Sequence, residues 1–157
     1  MDLPPDFKDL LVEFARADVA CVIVGGYAVA FHGRPRATKD IDVVLLASPE
    51  NLERAAIAAA RFGAPANVVS ALRTMSATDV VFLGQPPLRI DFLSSIDGVS
   101  AAELFAGAVH ATLDALMIRI ISLDHLIANK RAVARPQDLI DVEFLERVRA
   151  KTTTPGA

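Results

Sequence analysis

The sequence has no tryptophan, and only 6% of it is aromatic, so Ala, Val, Leu and Ile must fill any core. It has one cysteine, which excludes an internal disulfide. Cys21 sits in Val19-Ala20-Cys21-Val22-Ile23-Val24 and reads as a small buried hydrophobe, a usage that suits a reducing cytoplasm. An excess of basic residues is also missing. Net charge is −3, which disfavours non-specific gripping of nucleic acid. No apolar run approaches the roughly 18 residues of a membrane span. Met1 to Asp6 lack the basic and apolar regions of a secretion signal, so a soluble cytoplasmic protein is expected. There is no Walker-type phosphate loop and no Ser–His–Asp order. His32, His110 and His125 have no metal-ligand spacing, and His32 reads as a packing or site-wall residue.

What is present is enough apolar residue for one packed domain. Hydrophobic residues reach 53% against 22% charged, which excludes a disordered chain. A chain of 157 residues can bury roughly 70% of its unfolded surface. We expect a single domain over residues 1–150 and a flexible tail over 151–157.

Helical spacing of Phe7, Leu10, Leu11 and Phe14 predicts a first helix ending near Asp18. Ala20 to Val24 read as a buried strand, and a short helix then runs to Gly33, which can end it with a positive φ. Asp40 to Leu46 form a second strand. Ser48 as N-cap and Pro49 at the first helical position open a helix that stops at Gly63-Ala64-Pro65. Asn67 to Thr78 fit helix or loop equally. Val80–Leu83 and Leu88–Leu93 read as strands joined through Gly84-Gln85-Pro86-Pro87. A short helix over Ala101–Gly107 precedes a small edge hairpin, Thr112–Leu116 with Met117–Ile121. Ser122 caps a helix over Leu123–Val133. Pro136 opens the last one, with an apolar stripe of Leu139, Val142, Leu145 and Val148.

The chemistry concentrates in Gly25-Gly26 and Asp40-Ile41-Asp42. Glycines opening a helix offer backbone N–H groups to a phosphate. Carboxylates two apart on a strand point to one side, repel each other, and can share a divalent cation. An isolated Asp-x-Asp is equally a polar strand start. Asp91, in Leu88-Arg89-Ile90-Asp91-Phe92-Leu93, changes the weighing. It either pairs locally with Arg89 on its own face or joins Asp40 and Asp42 as a third carboxylate able to take a proton from a hydroxyl. Arg36 and Thr38 either contact phosphate or fix the loop before the strand. Lys130 either reaches a triphosphate or is a solvated lysine near a helix C-terminus. Arg135 with Asp138 or Asp141 reads as a structural ion-pair cluster.

The Gly-Gly turn, Asp40-x-Asp42 and Asp91 on a later strand resemble the polymerase-beta-like nucleotidyltransferase superfamily. Gly25-Gly26, His32-Gly33-Arg34 and Arg36-Ala37-Thr38-Lys39-Asp40-Ile41-Asp42 resemble especially its small bacterial members related to abortive-infection and toxin–antitoxin nucleotidyltransferases. Leu123-Asp124-His125-Leu126-Ile127-Ala128-Asn129-Lys130 and Arg135-Pro136-Gln137-Asp138-Leu139-Ile140-Asp141 match the same pattern. The resemblance implies an α/β (α+β-like) fold, a mixed twisted sheet flanked by helices with a small helical C-terminal portion. It also implies Mg²⁺-dependent transfer of a nucleoside monophosphate from an NTP to an acceptor hydroxyl on RNA, protein or a small molecule, releasing pyrophosphate. Asp40, Asp42 and Asp91 would hold Mg²⁺, with Asp91 also the base. Gly25 and Gly26 would cradle phosphates, although many members carry Gly-Ser there. The short stretch after Asp91 leaves little room for an acceptor domain, so a cognate partner protein or self-association would supply that surface. The alternative is a non-catalytic nucleotide- or protein-binding component of a toxin–antitoxin-like pair.

Overall fold

The computed structural model describes residues 3–35, 40–85 and 87–153. Six strands form one mixed sheet: β1 (Cys21–Val24), β2 (Asp40–Leu45), β3 (Val80–Gln85), β4 (Leu88–Leu93), β5 (Val109–Leu113) and β6 (Leu116–Ile120), in the order β3-β4-β2-β1-β6-β5. Seven helices connect and cover them: α1 (Pro5–Arg16), α2 (Gly25–Phe31), α3 (Pro49–Phe62), α4 (Ala66–Arg73), α5 (Ala101–Gly107), α6 (Leu123–Val133) and α7 (Pro136–Thr153). The fold is the expected α/β arrangement. None of the described helices is long and apolar enough to cross a membrane.

Alternation along the strands divides the molecule. Ile41, Val43 and Leu45 of β2 and Ile90 and Phe92 of β4 are buried on one face, beneath the buried stripe Phe7, Leu10, Leu11 and Phe14 of α1. Phe14 and Phe92 meet there with ring centroids 5.8 Å apart. The opposite face receives the aspartates. β1 runs antiparallel to β2, and β2 runs parallel to β4, so the strands bearing the carboxylates are neighbours at the centre of the sheet. β1 joins β6 through a single registered pair, Ile23 with Ile120, supported by Ile121 N–H donating to Ile23 O at 3.0 Å.

Helix ends follow the local chemistry. Ser48 accepts from the Asn51 N–H at the start of α3, and Gly63 (φ +102°) closes that helix. Gly33 (φ +118°) turns the chain just after α2. Of the stretch that fits helix or loop, the part through Arg73 belongs to α4, with Val68, Val69 and Leu72 buried, and residues 74–78 are non-helical.

Three expectations are corrected. The edge hairpin starts earlier than read and turns at Asp114-Ala115, where both residues have positive φ (50° and 65°). Such a two-residue turn favours Asn or Asp followed by Gly; Asp114 fits, but Ala115 stands where glycine is usual. In α7, Leu139 is 51% exposed, while Asp138 and Asp141 share the buried face with Val142 and Leu145. The first turn of that helix buries charge because cations await it. The helix also continues to Thr153, three residues into the stretch read as a tail, and residues 154–157 lie outside the described ones.

Asn51 is the polar fastener of the sheet. It is fully buried; its Oδ1 accepts from Ala20 N at 2.7 Å, and its Nδ2 donates to Ala20 O at 2.9 Å and Leu46 O at 2.8 Å. Asn51→Ala strands the Ala20 N–H and the Leu46 O, while Ala20 O keeps the Leu46 N–H at 3.2 Å, and we expect it to cost on the order of 3 kcal/mol in urea unfolding. A loss below about 0.5 kcal/mol would contradict this role.

Candidate active site

Strand register builds the site. Asp42 pairs with Val24 of β1 on one side and Asp91 of β4 on the other. One step along, Asp40 pairs with Arg89. Because side chains alternate, all four polar residues share the face opposite Phe92. The turn from β1 into α2 presses against them. Gly25 has φ +67°, and a Cβ there would collide with Asp42 Oδ2. Only glycine satisfies both the backbone angle and the space at this position. Gly26 follows, buried, in the first turn of α2.

The structure realises the local pairing of Asp91 together with its place beside Asp42. Arg89 Nε donates to Asp91 Oδ1 at 2.8 Å, and its Nη2 donates to Oδ2 at 3.1 Å. The same Nη2 stands 3.5 Å from Asp40 Oδ2. The fork therefore bridges two of the three carboxylates, and these bonds raise the guanidinium further above its ordinary range. Asp42 is left without that neutralisation. Burial, then the charges of Asp91 and Asp40, push its carboxyl up to about 6, against the opposing pull of Lys130 and Arg135.

The donor set is all carboxylate, which suits a hard divalent cation such as Mg²⁺. Uncompensated negative charge at Asp42, next in register to Asp91, gives such a cation a reason to bind. Among the described residues no three metal-ligating side chains converge on one point. Asp40 and Asp91 face Arg89.

Beyond Asp42 a cleft of about 250 Å³ opens, lined by Gly25, Asp42, Asn129, Lys130, Arg135 and Asp138 among others. Lys130 is buried, not solvated, and its Nζ lies 3.0 Å from Asp138 Oδ1 and 3.2 Å from Asp141 Oδ2. Arg135 Nε donates to Asp138 Oδ2 at 2.7 Å, and Arg34 Nη1 to Asp141 Oδ1 at 3.0 Å. Burial alone would raise Asp138, but hydrogen bonds from Arg135 and Lys130, with their charges, outweigh it and hold the carboxyl at about 2. Arg135 is thus part of the ion-pair cluster, as its sequence suggests, and also part of the cleft wall, which the sequence reading missed. The available signal was its position at the break between α6 and α7, between Ala134 (φ +57°) and Pro136.

Of the predicted residues, the structure brings Gly25, Asp40, Asp42 and Asp91 together and sets Lys130 across the cleft from Asp42. Arg36 and Thr38 lie outside the described residues. His32 is a packing residue, its Nε2–H donating to Ile121 O at 2.7 Å. Burial pushes the Cys21 thiol up to about 12, consistent with an inert small hydrophobe.

Asp42 carries a pH signature. Its folded value near 6 lies above the ordinary value near 4, so the folded chain holds a proton that the unfolded chain releases in between. Stability therefore falls as pH rises from about 4 to 6. At pH 7.5 in metal-free buffer, Asp42→Asn is expected to gain on the order of 2 kcal/mol, about 5 °C in Tm, and the gain should vanish below about pH 4. Thermal melts across that range decide it, and an Asn variant no more stable at pH 7.5 would contradict it.

Comparison with known proteins places this geometry. No curated protein matches the chain. Among solved structures, a lincosamide antibiotic adenylyltransferase, LnuA, in its lincomycin-bound form, superposes with TM-score 0.61 at 13% identity, over 93% of this chain and 98% of its own. The antibiotic-resistance factor ANT(2'')-Ia in solution gives 0.57 at 17% identity, over 94% and 89%. An antigenic nucleotidyltransferase-like protein from Paracoccidioides brasiliensis gives 0.53 at 12% identity, over 96% and 77%. At these identities the likeness is one of fold. A family model described as a nucleotidyl transferase of unknown function (DUF2204) matches residues 6–155, and the chain belongs to that nucleotidyltransferase family.

Proposed function

We propose that this nucleotidyltransferase moves a nucleoside monophosphate from an NTP to an acceptor hydroxyl, with Asp40, Asp42 and Asp91 as the ligands of Mg²⁺. The observation that carries this reading is the registered Asp42–Asp91 pair, with Gly25 held against Asp42. The acceptor oxygen forms a bond to the α-phosphorus, the bond to the β-phosphate oxygen breaks, and pyrophosphate leaves. Asp91 takes the hydroxyl proton. The Gly25 and Gly26 backbone holds phosphate oxygens, and Arg135, backed by Lys130, draws the triphosphate into the cleft. When bound, Mg²⁺ neutralises the triphosphate and orients it. Most of the rate enhancement then comes from positioning and charge neutralisation.

A small-molecule hydroxyl is the acceptor we favour. The related folds include one solved with adenylyl-2''-tobramycin and one with lincomycin, and the chain's acidic balance is poor for holding RNA by itself. The retained carboxylates argue against the non-catalytic alternative.

Calorimetric titration of each NTP, with and without Mg²⁺, tests the reading. Wild-type protein should bind at least one NTP only when Mg²⁺ is present, and Asp40→Asn/Asp42→Asn should weaken that binding more than tenfold, roughly the effect of losing both charged ligands. Binding indifferent to Mg²⁺, or equal in the double variant, would sink it.

A further inference from the structure

Arg89 occupies the carboxylates to which the proposed reaction assigns a metal ion. Its fork satisfies both oxygens of Asp91, at 2.8 and 3.1 Å, and reaches Asp40 at 3.5 Å. An Asp91 bonded in that manner shares both oxygens with a cation, and a metal ion at the same carboxylate must compete with it. In the same conformation the guanidinium is stacked. Its carbon lies 4.5 Å from the centroid of the Phe82 ring, and Phe82 pairs across the β3–β4 ladder with Asp91. Phe82 is 52% exposed on the edge strand, so this stacked pair borders solvent. Directly across from Arg89 stands Gly84, whose missing side chain leaves the guanidinium room to move off the carboxylates.

We propose that Arg89 is an internal counter-cation that holds Asp91 and Asp40 while no metal is bound, and that a divalent ion displaces its fork from those oxygens. This rests on the metal-binding reading of the three carboxylates. Arg89 is thus a positioning residue. It suppresses repulsion among the aspartates, and loosening its fork opens the Asp91 carboxylate to a metal ion. A divalent ion brings two positive charges to oxygens that the guanidinium holds with one.

The test uses metal alone. Mn²⁺ binding is measured by electron paramagnetic resonance for wild type, Arg89→Met and Arg89→Lys. Removing the competitor should tighten Mn²⁺ roughly tenfold in Arg89→Met, the reverse of what loss of a merely structural residue does, with Arg89→Lys in between because it keeps charge without the fork. Independently of any variant's folding, the Arg89 Nε–H resonance of the wild type is followed by NMR during Mg²⁺ titration. It should shift and begin to exchange with water as the Asp42 and Asp91 amides shift. Unchanged or weaker Mn²⁺ binding in a folded Arg89→Met, or a stationary Nε–H while those amides move, overturns the displacement and leaves the metal site standing. If neither ion binds wild type or variant, the metal reading fails, and the counter-cation role fails with it.

Discussion

Negative charge crowded onto one face of the sheet is the constraint from which the rest of this molecule follows. Strand alternation and register place Asp40, Asp42 and Asp91 together whatever their charges prefer, because Ile41, Val43, Ile90 and Phe92 must lie on the opposite face. Cations therefore stand on both sides. Arg89 spans Asp40 and Asp91 from β4, while Lys130 and Arg135 face Asp42 across the cleft from α6 and the start of α7. Those latter cations need anions of their own, which explains why α7 buries Asp138 and Asp141 where a hydrophobic stripe would be the ordinary choice. The site and the C-terminal helices are one electrostatic system.

Much of this was legible because it depends on short-range chemistry. Ser48, Pro49 and Gly63 mark both ends of α3 by capping and left-handed backbone alone. The period of two in Asp40-x-Asp42 and Arg89-x-Asp91 shows which residues share a face. Other features depend on partners far along the chain. Nothing local shows that Arg89 would reach Asp40 as well as Asp91, since that link needs β2 and β4 to be parallel neighbours. Nor does the pattern of α7 reveal that Asp141 turns inward, because its partners Lys130 and Arg34 come from α6 and from the chain just after α2. The misplaced turn at Asp114-Ala115 has a different origin. Asp114 is a residue that takes positive φ readily, but Ala115 stands where glycine is usual, so only half of the turn signal is present.

Gly25 shows how closely backbone and chemistry are tied here. The loop expected to receive phosphate and the carboxylate expected to hold metal touch each other, so neither can be repositioned without the other. Substrate and metal sites built this way are set by one contact, and their relative position is fixed by the fold itself.

The sheet is not equally firm along its width. Four strands, β3-β4-β2-β1, are laced by full ladders, whereas the β5–β6 hairpin hangs on β1 by the single Ile23–Ile120 pair. Junctions with so few bonds open first in local fluctuations. β6 leads directly through Ser122 into α6, the helix that carries Lys130. A brief opening at that seam would therefore carry the cationic wall away from Asp42 while the aspartates kept their register. Opening of this one hairpin would thus widen the cleft while the ladder that holds Asp42 beside Asp91 stays closed.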